Sequence, residues 1–316
     1  MLDYKAPWPL KNGHINTLHT ALLRKVEQLP YSRERIILKD GDFIDLDWVT
    51  RGSRKLVVLS HGLEGDSRGT YIQGMMKKFL EEGYDGLAWN CRGCSGEVNL
   101  KPFYYNSGVS HDLDEVLSHV IENKNYDEIF LVGFSMGGNI SLKYLGEKGT
   151  SVSEKIKGAA IFSTPVDLRG CSFKLDEGFC KVYTQNFLKT LKQKVKLKEE
   201  QIKDAGFEPR DIYKCNNLND FDNIFTGPLH GYKDAEDYYT RASSKQFISS
   251  IEVPTLLVNA SDDPFLTESC YPHGIENNKF TFERTEYGGH VGFGNLKSYQ
   301  TIWSEDRAFR FISSIK

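Results

Sequence analysis

Long apolar runs are missing from this chain. Nothing in it approaches the roughly 20 consecutive apolar residues that a membrane-spanning helix needs, so no stable membrane span is expected. An excess of one charge is missing too. Forty Lys and Arg against forty-three Asp and Glu leave a formal net charge of -3. No basic stripe exists to hold nucleic acid, and nothing electrostatic points to an anionic membrane as the main partner. Cysteine is sparse, with six residues at positions 91, 94, 171, 180, 215 and 270. The opening stretch MLDYKAPWPLKNGH has no continuous apolar core after its positive charge, so a secretory leader is not expected. Free thiols in a cytoplasmic protein are the simplest reading. Cys91 and Cys94 form a C-x-x-C, but no second ligand pair accompanies them, and they read as ordinary loop or core thiols. Internal repeats and low-complexity tracts are also lacking.

What remains is the composition of a globular protein, 39% hydrophobic and 26% charged over 316 residues, enough for one large domain or two average ones. The first thirty residues read as a partly helical arm, INTLHTALLRKVEQL. RERIILKDGDFIDLDWV predicts two strands joined at Asp40-Gly41, a hairpin signal. KLVVLSHG is a compact strand entering a Gly turn. A helix near YIQGMMKKFLEEG then ends at Gly83, and YDGLAWN is another strand. HDLDEVLSHVIENK places Leu113, Val116, Leu117 and Val120 on one helical face. EIFLVGF, IKGAAIFS, VPTLLVNA and KFTFERTE follow as strands, and a last helix is expected near SYQTIWSEDRAFRFIS. Strands alternating with helices predict an α/β fold with a mostly parallel sheet.

The alternation lapses between residues 165 and 250, where aromatics and a lysine-rich helical stretch, FLKTLKQKVKLKEEQIK, replace strand patterns. This predicts three parts: residues 1–164 as the arm and first part of the core, 165–250 as a mainly helical cap insertion, and 251–316 as the second part of the core. The lysine run reads as a solvated helix face, with Leu188, Leu191 and Val195 on its buried side.

One joint carries chemistry. Gly133-Phe134-Ser135-Met136-Gly137 is a G-x-S-x-G placed where a predicted strand meets a predicted helix. This is the arrangement of a nucleophile elbow, a sharp turn that lifts a serine hydroxyl above the carboxyl ends of the strands. Side chains at Gly133 and Gly137 are expected to clash there. The backbone N–H of Met136, at the helix start, can stabilise an oxyanion. A second such N–H is expected from Leu63 in LSHGLEGDSRG. A reading of Ser60 as nucleophile and His61 as base is set aside, because His-Gly after this strand shapes the turn.

Serine needs a base, and in this arrangement the acid and then the histidine follow it along the chain. His290, in TEYGGHVGFG, sits in a glycine-flanked loop before the last helix, whereas His273 in YPHG reads as an exposed turn residue. The acid should end the strand VPTLLVNA. Asp263 fits the offset best, Asp262 is the neighbouring alternative, and Glu286 is a third candidate. Such a carboxylate holds the imidazole in the tautomer that accepts the serine proton. No metal or organic cofactor is required. His230, Asp234 and Asp237 read as polar groups at a helix start rather than as a metal site, and Asp222 reads as a helix cap.

These stretches together, with LKNGHINTL, DGDFIDLDW, HGLEGDSRGTYI, NCRGCSGEVN, GFSMGGN, LHGYKDAEDYY, NASDDPF and YGGHVGF, resemble the α/β-hydrolase superfamily. The sequence is most similar to its YheT-type branch, related to the eukaryotic ABHD hydrolases. The resemblance implies an eight-stranded, mostly parallel sheet, a helical cap, a Ser-Asp-His triad and esterase chemistry. It accounts for the C-x-x-C as part of RGCSGE. Asn295 stands at the last position of an H-x-x-x-x-D motif counted from His290, so acyltransferase chemistry is not implied.

The expectation is therefore a carboxylesterase-type serine hydrolase for short- to medium-chain acyl esters. Its partner would be a small ester molecule, and its state a monomer or weak homo-oligomer. The same residues would equally serve a lipase, thioesterase or amidase, and a hydrolase-like receptor without catalysis is the contrasting class. Phe173, Phe179, Tyr183, Phe187 and Phe225 are the aromatics from which an acyl pocket would be drawn, most of them forming the cap's own core.

Overall fold

The structure is a computed structural model and describes residues 4–297 and 299–315. The first three residues of the opening stretch, Ser298 of the expected last helix, and Lys316 lie outside the described residues.

Helix α1 (Gly13–Leu23) opens the chain, its first turn capped by Asn12, whose side chain accepts the Ile15 N–H. Strands β1 (Ser32–Ile37) and β2 (Phe43–Val49) form the expected hairpin, with Gly41 at φ 82° in its turn. Then come β3 (Lys55–Ser60), α2 (Thr70–Glu81), β4 (Asp85–Asn90), α3 (Ser110–Asn123), β5 (Glu128–Phe134), α4 (Met136–Lys148) and β6 (Ile156–Phe162). A helical stretch follows: α5 (Leu168–Leu175), α6 (Cys180–Leu197), α7 (Glu199–Asp204), α8 (Leu218–Phe221), α9 (Gly227–Leu229) and α10 (Ala235–Ala242). Between α8 and α9 the backbone winds a π turn, Asp222–Thr226. The chain closes with β7 (Thr255–Ala260), β8 (Phe280–Thr285) and α11 (Trp303–Ser313).

The eight strands lie in the order β1-β2-β4-β3-β5-β6-β7-β8. Strand β2 is antiparallel to β1 and to β4, and all other pairs are parallel. The central strands explain their apolar sequences by two-sided burial. In β3 and β5, Leu56, Val58, Ile129 and Leu131 face one layer with α3 and α4. Val57, Leu59, Phe130 and Val132 face the other, with Met75, Met76 and Phe79 of α2 and Ala308 and Ile312 of α11. Each such buried side chain contributes about 1.5–3 kcal/mol relative to exposure. The carboxyl ends of β3, β5, β6 and β7 open onto one edge, where the loops described below gather.

The lysine-rich stretch departs from expectation. Leu188, Leu191 and Val195 are buried as the pattern predicts, but one helix becomes two, breaking at Lys198, which is fully buried. Its ammonium donates to Asn99 Oδ1 at 2.6 Å, to the Phe103 carbonyl at 3.0 Å and to the Lys101 carbonyl. Burial pushes this amine down to about 7. Lys194, one turn earlier, reaches Glu64 Oε1 at 2.6 Å. A run that looks like a solvated face thus supplies two ties between α6 and the sheet side of the molecule. Periodicity cannot distinguish these two lysines from their exposed neighbours.

Candidate active site

The turn between β5 and α4 is as tight as the glycines suggest. A Cβ on Gly133 would stand 2.7 Å from Gly138 Cα, and one on Gly137 would stand 2.3 Å from the Ser60 carbonyl oxygen. Ser135 itself holds φ 52° and ψ -120°, a conformation that side chains seldom adopt and that the surrounding structure must impose. Its N–H donates to the Phe162 carbonyl at 3.0 Å, tying the turn to the end of β6.

Three side chains from three loops meet here. Ser135 Oγ lies 2.8 Å from His290 Nε2. His290 Nδ1 lies 2.9 Å from Asp263 Oδ2 and 3.1 Å from Oδ1. An Nδ1–H donated to the carboxylate leaves Nε2 free to accept the serine proton. Asp263 is buried, which raises its carboxyl above the ordinary range, while His290 and the Phe265 N–H, 2.9 Å away, pull it back. The Phe265 ring stacks on the imidazole at 4.0 Å between centroids.

The alternatives for the acid are engaged elsewhere. Asp262 Oδ1 accepts the Gly289 N–H at 2.9 Å, and Oδ2 is buried with no hydrogen-bond partner among the described residues. Burial lifts its carboxyl to about 6. Glu286 is exposed and sits beside the Tyr287 hydroxyl. His273 is exposed and faces Glu268 at 3.6 Å. The Ser60 and His61 pair is also committed. Ser60 Oγ accepts the Trp89 indole N–H at 2.8 Å. His61 Nε2 accepts the Cys91 N–H at 3.0 Å, so its Nδ1–H donates to the Gly62 carbonyl at 2.7 Å. Burial holds this imidazole neutral, with its pKa lowered to about 4.

Leu63 and Met136 line the same cavity as Ser135 and His290. Met136 is the first residue of α4, where a backbone N–H has no partner within the helix and the dipole favours negative charge. The loop after Leu63 is clamped. Glu64, at φ 55°, donates its N–H to the Tyr105 hydroxyl at 2.8 Å, and that hydroxyl donates to Glu64 Oε1 at 2.5 Å.

The arm contributes what the sequence reading did not assign. The His290 N–H donates to Thr17 Oγ1 at 2.8 Å. Asn16 Oδ1 accepts the Gly294 N–H at 3.0 Å, and Thr20 donates to the Gly292 carbonyl at 3.2 Å. A Cβ on Gly13 would lie 1.7 Å from the Asp262 carbonyl oxygen, so α1 starts directly against the acid loop. LKNGHINTL carried this signal as a motif without a role.

A cavity opens above Ser135, with about 880 Å³ of empty space when its open mouth is included. Of the five aromatics expected to supply it, Phe187 lines it. Phe225 is buried in the core, Phe173 and Phe179 are half exposed, and Tyr183 packs edge-on to Phe265. The lining aromatics are instead Tyr104, Tyr105, Phe221, Tyr238, Tyr239 and Phe265.

Asp234 caps α10, accepting the Asp237 N–H at 2.9 Å, as its position suggested. Asp222 does not cap a helix start: Asn217 does so for α8, and the Asp222 carboxylate turns to the cavity. Among the described residues no group of three or more His, Cys, Asp or Glu is placed to hold a metal, and no helix is long and apolar enough to cross a membrane. The six cysteines are free and buried, and burial raises the Cys91 and Cys94 thiols, the latter to about 11, which disfavours the thiolate at the C-x-x-C.

Comparison with known proteins agrees with this architecture. YheT of Escherichia coli (strain K12), whose name marks it as a candidate esterase, is 32% identical over 306 residues, covering 94% of this chain and 88% of its own. Human phospholipase ABHD3 is 30% identical over 314 residues, covering 94% and 75%. The monoacylglycerol lipase of Saccharomyces cerevisiae is 28% identical over 261 residues, covering 80% and 58%. Among solved structures, the Pyrococcus furiosus esterase Pf2001 superposes with a TM-score of 0.62 over 92% of this chain and 96% of its own, at 17% identity, a likeness of fold. Residues 55–293 match the family described as the alpha/beta hydrolase fold. With the sheet order, the elbow and these relatives in agreement, the chain belongs to the α/β-hydrolase family.

Proposed function

We propose that this protein hydrolyses carboxylic esters through a Ser135–His290–Asp263 triad and an acyl-enzyme intermediate. The observation that carries this reading is the unbroken hydrogen-bond chain from Ser135 Oγ through the imidazole to the buried Asp263, opening onto a largely apolar cavity. His290 Nε2 takes the serine proton as Oγ attacks the ester carbonyl. The Met136 and Leu63 N–H groups hold the oxyanion. The imidazolium, stabilised by Asp263, protonates the leaving alcohol. Water then attacks the acyl-enzyme with the same residues in reversed order. No metal or cofactor enters any step.

Residues 165–250 act in this reading as a cap over the site, held between the core segments 1–164 and 251–316. Its support is that Leu168, Phe187, Leu191, Phe221, Tyr238 and Tyr239 all line the cavity. The confined volume favours short- to medium-chain acyl esters. The names of the relatives, an esterase candidate, a phospholipase and a monoacylglycerol lipase, share the ester bond. Fluorophosphonate labelling together with a chain-length series of nitrophenyl esters tests the reading. Adduct formation at Ser135 and a maximum at short to medium chains are expected. A maximum on long chains would favour a lipase, and absence of both adduct and turnover would favour a non-catalytic receptor.

A further inference from the structure

The cavity wall is mostly apolar, but one stretch of it is not. Asp222 faces the cavity from the π turn, beside Thr226, Ser172, Tyr238 and Tyr239. The Tyr239 O–H donates to Asp222 Oδ2 at 2.8 Å. Ser172 Oγ lies 2.8 Å from the Tyr239 oxygen. With the phenol proton committed to the carboxylate, Ser172 is the donor in that second bond. The relay therefore runs from Ser172 through Tyr239 and ends on an acceptor at the cavity surface.

Among the described residues this carboxylate has two hydroxyls for partners, those of Tyr239 and Thr226. It caps no helix start, since Asn217 and Asp234 do that for the neighbouring helices. No Lys, Arg or His among the described residues offsets its charge; burial lifts its carboxyl to about 6, and the Thr226 and Tyr239 hydroxyls draw it back. The proposed ester chemistry is complete without it. A carboxylate inside an apolar pocket with no countercharge is costly. The backbone nevertheless departs from the α-helix at this point: the Gly227 N–H reaches back to the Asp222 carbonyl, and a Cβ on Gly227 would come within 2.9 Å of that oxygen. Such π turns recur at functional sites.

We infer that the substrate carries a hydrogen-bond donor, a hydroxyl or an ammonium, several bonds from the scissile ester, and that Asp222 reads it while Tyr239 and Ser172 orient the carboxylate. This rests on the ester-hydrolase reading above. A site that pairs with a donor rejects the alkyl analogue, because the acceptor positions that Tyr239 and Thr226 leave open are then desolvated and unmet.

The test is the ratio of kcat/KM between donor-bearing and plain esters of equal length. One series is nitrophenyl octanoate, ω-hydroxyoctanoate and ω-aminooctanoate. The other carries the donor on the alcohol: octyl, ω-hydroxyoctyl and ω-aminooctyl butyrate. The wild-type protein should favour a donor over alkyl by about tenfold or more in one series. Which donor wins separates hydroxyl from ammonium. D222L should bring the ratio to about one, D222N should keep a hydroxyl preference while losing an ammonium preference, and Y239F should weaken either. Should the Asp222 variants fail to fold by circular dichroism, the wild-type and Y239F ratios decide. A wild-type ratio near one in both series, with nitrophenyl octanoate turned over, overturns this inference and leaves the ester reading standing. An unchanged ratio in D222L overturns it as well. No turnover of any ester removes the ester reading, and the inference with it.

Discussion

The backbone N–H of His290 donates to the hydroxyl of Thr17 at 2.8 Å, across 273 positions of sequence. The histidine loop is thus held on one side by its own acid and on the other by the first helix of the chain. Val291 and Phe293, at φ 54° and 45°, show how sharply the loop bends to make both contacts.

Thr17→Val should therefore lower kcat/KM by about tenfold, since small displacements of a catalytic group are costly. It leaves a buried N–H unpaired at a cost of about 1–3 kcal/mol. Steady-state kinetics and thermal melts check both effects. Thr17→Ser should restore most of each, and full activity in Thr17→Val would show that the arm does not position His290.

Asp263→Asn should reduce kcat by about three to four orders of magnitude by favouring the wrong tautomer of His290. Asp262→Asn should stay within about threefold of wild type, because its carboxylate meets the Gly289 N–H, which an amide oxygen also accepts. Comparable losses in the two single variants would contradict the assignment of the acid.

Asp262 also predicts a pH dependence of stability. Its carboxyl is raised from an ordinary value of 3.8 to about 6, chiefly by burial. Between these values the folded state binds more protons than the unfolded one, so the contribution of Asp262 to stability is lost as pH rises through the window. Asparagine does not titrate. The Tm of Asp262→Asn minus that of wild type should thus climb from about pH 4 to about pH 6 and level off above. A difference that stays flat across this range would mean that the folded carboxyl keeps its ordinary pKa.

Gly137→Ala should fail to fold or lose about 3 kcal/mol or more, since its Cβ would press on backbone rather than on a movable side chain. The obstructing atoms are the Ser60 and His61 carbonyl oxygens, at 2.3 and 2.4 Å. Urea denaturation measures this, and wild-type stability would show that the elbow is looser than its geometry.

Tyr105→Phe should lower kcat about tenfold with little change in KM. It frees the Glu64 N–H next to Leu63, while the Glu64 carboxylate keeps its tie to Lys194; the Leu63 N–H is the one proposed to hold the charge that develops on the oxyanion. A rise in KM with unchanged kcat would place Tyr105 in substrate binding instead.

The core strands were legible because each is short, apolar and covered on both faces, as β3 and β5 are by the two layers of helices. The elbow was legible because steric demand confines glycine to positions 133 and 137, and a local clash leaves a local pattern. The helical stretch between β6 and β7 was less so. Lys198 reads as exposed and is buried, and Asp222 reads as a cap and faces the cavity. Four of the five expected aromatics lie away from the cavity wall while Tyr104, Phe221 and Phe265 form it. In short helices joined by turns, periodicity says which side is apolar but not what that side meets.

The sequence by itself determined the alternation of strands and helices, the glycine-flanked turn at Ser135, and the chain order of that serine, the Asp262-Asp263 pair and His290. These follow from interactions within a few residues, or from burial that every central strand shares. Only the tertiary structure decided which of two adjacent aspartates meets His290, that α1 braces the histidine loop, and that Asp222 faces the cavity. Those outcomes depend on the directions of side chains brought together from distant segments, and a direction is set by packing, not by spacing along the chain.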